Sequence, residues 1–167
     1  MDSISERARA VALLILDVDG VMTDGRLYFD AAGESLKVFH VRDGLGIKAL
    51  LDEGVQVAVI SGRKAGAVTR RMTELGVQHV YQGCRDKTRA FRELLDKLDL
   101  QVSQTAFVGD DTPDLAVMRE TGLAIAVSDA HPLVIEHAHW VTTKAGGQGA
   151  VREVCELIID ARAGAQT

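Results

Sequence analysis

Asp17 and Asp19 stand two residues apart, directly after the apolar run 11–16, with Gly20 behind them. Side chains spaced by two at a strand end project to the same side. A second acidic group, Gly109-Asp110-Asp111 with Asp114 three residues on, follows the stretch 105–108. Ser61-Gly62-Arg63 follows the stretch 55–60, and Lys87 stands near the start of an amphipathic segment. Carboxylates gathered at one edge of a fold repel one another strongly where the site is partly buried. A hard cation with oxygen ligands, most simply Mg²⁺, removes that conflict. The chemistry such a set permits is phosphoryl transfer. One Asp attacks phosphorus and becomes an aspartyl-phosphate, and the other protonates the leaving oxygen and then activates water. The cation neutralises the charge that develops. Ser61 and the amide of Gly62, at a helix N-terminus, bind a phosphoryl oxygen. Lys87 keeps the nucleophile ionised.

Each piece has a plainer reading. Asp17-Val18-Asp19-Gly20 is also good turn chemistry, Asp111 or Thr112 also caps a helix starting at Pro113, and Ser61 also caps. Lysine usually ends up solvated. The weight lies in their order and in their common position after apolar runs.

The elements that must hold these residues alternate in period. The continuous apolar runs at 11–16 and 123–127 and the mainly apolar stretches at 55–60 and 105–108 predict buried parallel strands, with shorter strands at 80–81 and 140–142. Helices are predicted over 44–53, 65–75, 86–98, 132–137 and 149–161, with another starting at Pro113. Segments 26–29 and 36–39 predict a β-hairpin around a turn at 30–34. This is an α/β chain with a Rossmann-like, mostly parallel sheet and helices on both faces, one domain over 1–167. The hairpin stands outside the βαβ rhythm, either as an edge of the same sheet or as a separate projection. Ligands of such sheets bind beyond the carboxyl ends of the strands, where the acids collect.

Composition narrows the partners. Of 167 residues, 47% are hydrophobic and 26% charged, with a formal net charge of −5, the balance of a globular protein without affinity for nucleic acid or anionic membrane. Aromatics make up 4%, too few for base-stacking platforms. No apolar run has the length of a membrane span, and the first is broken by Asp17 and Asp19, unlike a signal peptide. Cys84 and Cys155 have neither metal-ligand spacing nor a disulfide framework, so a cytoplasmic protein with reduced thiols is expected.

Asp17-Val-Asp-Gly-Val-Met-Thr-Asp24, Ser61, Lys87 and Gly109-Asp-Asp-Thr-Pro-Asp114 resemble the four motifs of the haloacid dehalogenase superfamily of phosphotransferases. The resemblance implies Asp17 as nucleophile and Asp19 as acid/base. It implies Mg²⁺ held by Asp17, the Asp19 carbonyl and Asp110, with Asp111 and Asp114 as outer supports. About forty residues separate Asp19 from Ser61, room for a hairpin and one helix but not for the cap domain of many members. Segments 36–47, 60–64, 127–133 and 145–155 closely resemble the family of 3-deoxy-D-manno-octulosonate 8-phosphate phosphatases, which serve bacterial lipopolysaccharide synthesis. That likeness implies a homotetramer in which the hairpins meet, through Leu27, Phe29, Val38 and Phe39, and a neighbour helps to close each site. It implies substrate contacts at Asp19, His40, Arg42, Asp43, Gly44, Lys48, Gly62, Arg63, Arg71 and Lys87. Lys48 departs from the Arg often found there, and Gln148 stands where the family often has Arg; the glycines around it read as a flexible lead into the last helix.

Three other functions fit parts of the pattern. A phospho-acceptor signalling module shares the acids, Ser and Lys but lacks an acid two residues after the phosphorylated Asp. A non-catalytic tetrameric domain would not need the full set. A phosphatase for a nine-carbon sialic-acid-like 9-phosphate would share all four motifs and differ only in the binding residues.

Overall fold

The structure, a computed structural model, describes residues 3–164; the termini of the 1–167 span lie outside the described residues. Its centre is a six-stranded sheet in the order β5-β4-β1-β6-β7-β8, in which every neighbouring pair is parallel. The strands are β1 (Leu13–Leu16), β4 (Gln56–Ser61), β5 (His79–Gln82), β6 (Thr105–Gly109), β7 (Leu123–Ala126) and β8 (Trp140–Val141). β1 lies between β4 and β6 and is buried throughout, which is why it reads as an unbroken Leu-Leu-Ile-Leu run rather than an alternating one. Chain order reverses at β1: β4 and β5 extend one way, β6 to β8 the other. Right-handed crossovers then place the connecting helices on opposite faces. α2 (Val41–Asp52) and α3 (Gly66–Leu75) belong to one face, together with α7 (Ala150–Ala163), which packs along α2, and α1 (Ile4–Ala10), which packs along α7. α4 (Lys87–Leu98) and α5 (Leu115–Glu120) pack on the other, followed by α6 (Pro132–His137). Gly46 lets α2 and α7 approach closely, since a Cβ there would sit 3.0 Å from Arg152 Cδ.

α1 has no counterpart in the apolar pattern. Its signal is local: Ser3 and Glu6 form a reciprocal capping box, the Ser-x-x-Glu spacing of a helix start. α2 begins earlier than its periodicity predicts, because His40 caps it through Nδ1 to the Arg42 amide.

The hairpin is its own two-stranded sheet, β2 (Tyr28–Asp30) with β3 (Gly33–Leu36), not an edge of the main one. β3 starts three residues before the predicted 36–39 strand. Asp30 Oδ1 accepts the Ala32 amide, which tightens the turn to two residues and lets pairing resume at Gly33. Residues 37–39, expected as strand, lead into α2 instead, and Phe39 packs against the core rather than projecting.

Candidate active site

The reversal at β1 puts three strand ends side by side. Asp17 follows β1, Ser61 closes β4, and Asp110 follows β6, with the Asp17 amide donating to the Val108 carbonyl at 3.1 Å. Lys87 opens α4 beside them, with Asp86 capping that helix. A cavity of about 240 Å³ is lined by Asp17, Asp19, Ser61, Gly62 and Arg63 from one side. From the other it is lined by Lys87, Asp110, Asp111, Pro113 and Asp114. The sequence motifs thus meet in one place.

Their contacts divide the labour. Lys87 Nζ donates to Asp17 Oδ1 at 2.7 Å and to Asp114 Oδ1 at 2.6 Å, all three groups buried. Burial disfavours the ammonium, but Asp17 and Asp114 outweigh it and hold Lys87 above its ordinary pKa. Asp114 Oδ2 accepts the amides of Asp110 (3.1 Å) and Asp111 (3.5 Å), so Asp114 ties Lys87 to the loop after β6. Asp111 caps the following 3₁₀ turn through the Thr112 amide. Ser61 Oγ accepts the Arg63 amide at 3.4 Å. Gly20 adopts φ +92, a conformation that suits glycine, and a Cβ there would run into the Asp110 carboxylate.

The acids fit a cation. Asp17, Asp110 and Asp114 each bring a carboxylate oxygen within 4.8 Å of the others. Burial, then the neighbouring acids, push Asp110 up to about 8; burial and Asp114 push Asp17 up to about 6 against the pull of Lys87. Such a cluster keeps its charge at neutral pH only with further positive charge among the oxygens, the role of a divalent metal.

Other expected residues lie outside this cavity's lining. Asp43 is buried, and its Oδ1 accepts the Arg152 amide at 2.9 Å, capping α7 from α2. Burial raises its pKa. Gly44 lies under Arg71, whose Nη1 binds Glu74 at 3.0 Å. Arg42 and Gln148 line a larger hollow of about 550 Å³ at the N-terminal end of α7, which contains none of the clustered acids. Lys48 is exposed. The clustered charges converge in the smaller cavity, not in the larger hollow.

Two features escape a sequence reading. Lys37, after the hairpin, reaches Asp19 Oδ1 with Nζ at 2.5 Å; nothing in its sequence neighbourhood marks it. The glycines at 146–147 are not a flexible lead. Gly147 N donates to Val21 O at 2.9 Å, Gly146 N donates to Asp129 Oδ1 at 2.9 Å, and a Cβ at Gly146 would collide with the Gly20 carbonyl.

Comparison with known proteins matches residues 79–154 to the haloacid dehalogenase-like hydrolases. A 3-deoxy-D-manno-octulosonate 8-phosphate phosphatase of Yersinia pestis is 51% identical over 158 residues, covering 95% of this chain and 84% of its own. A crystal structure of the enzyme from that species superposes with a TM-score of 0.95 at 49% identity, covering 99% of this chain and 89% of that one. The Moraxella catarrhalis enzyme, solved with a magnesium ion, a phosphate ion and a KDO molecule, gives a TM-score of 0.94 at 42% identity, covering 96% and 92%.

Proposed function

The chain belongs to the 3-deoxy-D-manno-octulosonate 8-phosphate phosphatases among the haloacid dehalogenase-like hydrolases, and from that premise we propose that this phosphatase acts on the same eight-carbon sugar-acid phosphate, releasing the free sugar acid and phosphate for lipopolysaccharide precursor synthesis. The observation that carries the substrate is likeness along nearly the whole chain, which includes the binding segments as well as the motifs. The reading treats 1–167 as one phosphatase domain.

In this reading the metal is Mg²⁺, held by the carboxylates of Asp17 and Asp110 and the backbone carbonyl of Asp19. When bound it supplies positive charge that keeps Asp17 ionised beside an anionic substrate. Asp17 attacks phosphorus; its O–P bond forms as the bond from phosphorus to the sugar oxygen breaks, and Asp19 gives that oxygen its proton. Asp19 then takes a proton from water, whose oxygen displaces Asp17 and restores it. Lys87, fixed by Asp114, orients Asp17. The Ser61 hydroxyl and Gly62 amide hold a phosphoryl oxygen, and Asp111 and Asp114 support the loop after β6. Arg63, at the rim, meets the sugar acid. His40, Arg42, Asp43, Gly44, Lys48 and Arg71 form or support the outer sugar site, with a neighbouring subunit of a cytoplasmic homotetramer as its cover.

The test is phosphate release from the eight-carbon 8-phosphate and a nine-carbon sugar-acid 9-phosphate. The first should be the better substrate, with activity lost in chelator and restored by Mg²⁺. Asp17→Asn should abolish labelling by substrate phosphate, since an amide forms no aspartyl ester. Preference for the nine-carbon ester would overturn the substrate, and full turnover by Asp17→Asn the covalent mechanism.

A further inference from the structure

Lys37 is out of keeping with the hairpin it follows. Phe29, on the same hairpin, is 64% exposed, yet the Lys37 side chain is 2% exposed. Lysine seldom leaves water, and a buried ammonium is tolerated only against an acceptor that returns what hydration supplied. Its Nζ donates to Asp19 Oδ1 at 2.5 Å, while Arg63 Nε lies 3.8 Å from Oδ2, beyond hydrogen-bond length for that pair of atoms. Asp19 sits on the turn after β1, where backbone alone does not fix its rotamer. One of its oxygens is therefore clamped from a separate element, while the other faces the Arg63 guanidinium across 3.8 Å at the cavity rim.

We propose that Lys37 is a positioning residue: by holding Asp19 Oδ1 it turns Oδ2 toward the reacting oxygens, making the segment between the hairpin and α2 part of the proton-transfer apparatus. The proposal rests on Asp19 being the acid/base of the mechanism above. The proton that leaves Oδ2 goes to the ester oxygen as its bond to phosphorus breaks, and Asp17 forms the new bond.

The leaving group provides the test. An alkoxide departs only with a proton, whereas nitrophenolate departs without one. Lys37→Met, and Lys37→Gln, which keeps N–H donors, are compared with wild type on a small alkyl phosphate and on p-nitrophenyl phosphate. Neither ester contains the sugar acid, so the outcome is independent of which sugar is the substrate. The readout is kcat/KM, which covers the steps up to leaving-group departure. Because misplacement of an acid group costs orders of magnitude in rate, Lys37→Met should lose about 10-fold or more on the alkyl ester beyond its loss on the aryl ester, with Lys37→Gln between it and wild type. Thermal melts identify any variant that fails to fold, and the other variant then decides. Equal losses on both esters would mean that Lys37 binds phosphate or merely holds structure, and would overturn the proposal, as would no loss. Asp19→Asn is run alongside. If it separates the esters and the Lys37 variants do not, Lys37 has no positioning role. If Asp19→Asn fails to separate them, the acid role of Asp19 falls, and this proposal with it.

Discussion

Asp110 is where the site's electrostatics press hardest. Its carboxyl is pushed up to about 8, and that of Asp17 to about 6, from an ordinary 3.8. Both groups bind protons more tightly in the metal-free fold than in the unfolded chain. Their contribution to stability is full below 3.8 and is lost as pH rises through the folded values, with the loss complete above about 8. Asp110→Asn removes the largest part of this penalty. In chelator the variant should therefore melt higher than wild type at pH 8, with the gap closing toward pH 4. Mg²⁺ should raise the wild-type melting temperature most at high pH and that of the variant little. Melts across that range check it, and a gap that widens toward acid would refute the assignment. Arg63 is placed differently. Its side chain is 46% exposed at the cavity rim and 3.8 Å from Asp19. Arg63→Ala should depress hydrolysis of the sugar-acid phosphate far more than that of a small phosphate ester; equal losses would assign Arg63 to the phosphoryl group.

At the scale of elements, the loop 145–149 and α7 act as a brace. The glycine loop lies against the turn that carries Asp19 and Gly20, and Asp43 ties α7 to the start of α2. No Cβ fits at Gly146. Gly146→Ala should cost about 1–3 kcal/mol of stability, the usual range for overpacking. It should also lower kcat, because the atom it displaces is the carbonyl next to Asp19. Melting and turnover of the same sample test this; a destabilised variant with wild-type kcat would sever the loop from catalysis. The sequence shows the glycines but not their purpose, since Gly146 and Gly20 are brought together only by the return of the chain past β7 and β8. The hairpin shows the same limit at closer range. Its existence is legible from two apolar stretches around a turn, but its register depends on the Asp30 side chain tightening that turn.

For the whole molecule, the outstanding surface is apolar. Tyr28, Phe29, Leu36 and Val38 of the hairpin region are exposed, together with Val41 and Leu45 on α2. A two-stranded ribbon showing that much apolar surface calls for a partner. Assembly through these hairpins would bury the patch and bring a neighbour to the mouth of the site. Deleting 26–37 should yield smaller species with little activity. Phe29→Asp, which leaves Lys37 in place, should also reduce the mass measured by light scattering. A wild-type monomer, fully active at low concentration, would exclude a tetramer built this way.

The sequence by itself determined the sheet and the core of the site. Buried parallel strands must be apolar along their whole length, so β1, β4, β6 and β7 were visible as runs, and the polar residues ending them had to collect at one edge. Asp17, Asp19, Ser61 and Asp110 were legible for that reason, and Lys87 from its place at the start of an amphipathic segment. Tertiary structure alone decided which groups beyond Asp111 and Asp114 hold those residues in place. Lys37 looks like any loop lysine until its side chain meets Asp19. Asp43 looks like a loop acid until α7 arrives to be capped, and Gly146 like slack until it meets Gly20. Each depends on contact between segments far apart in the chain, and local pattern carries only what neighbours in sequence impose on one another.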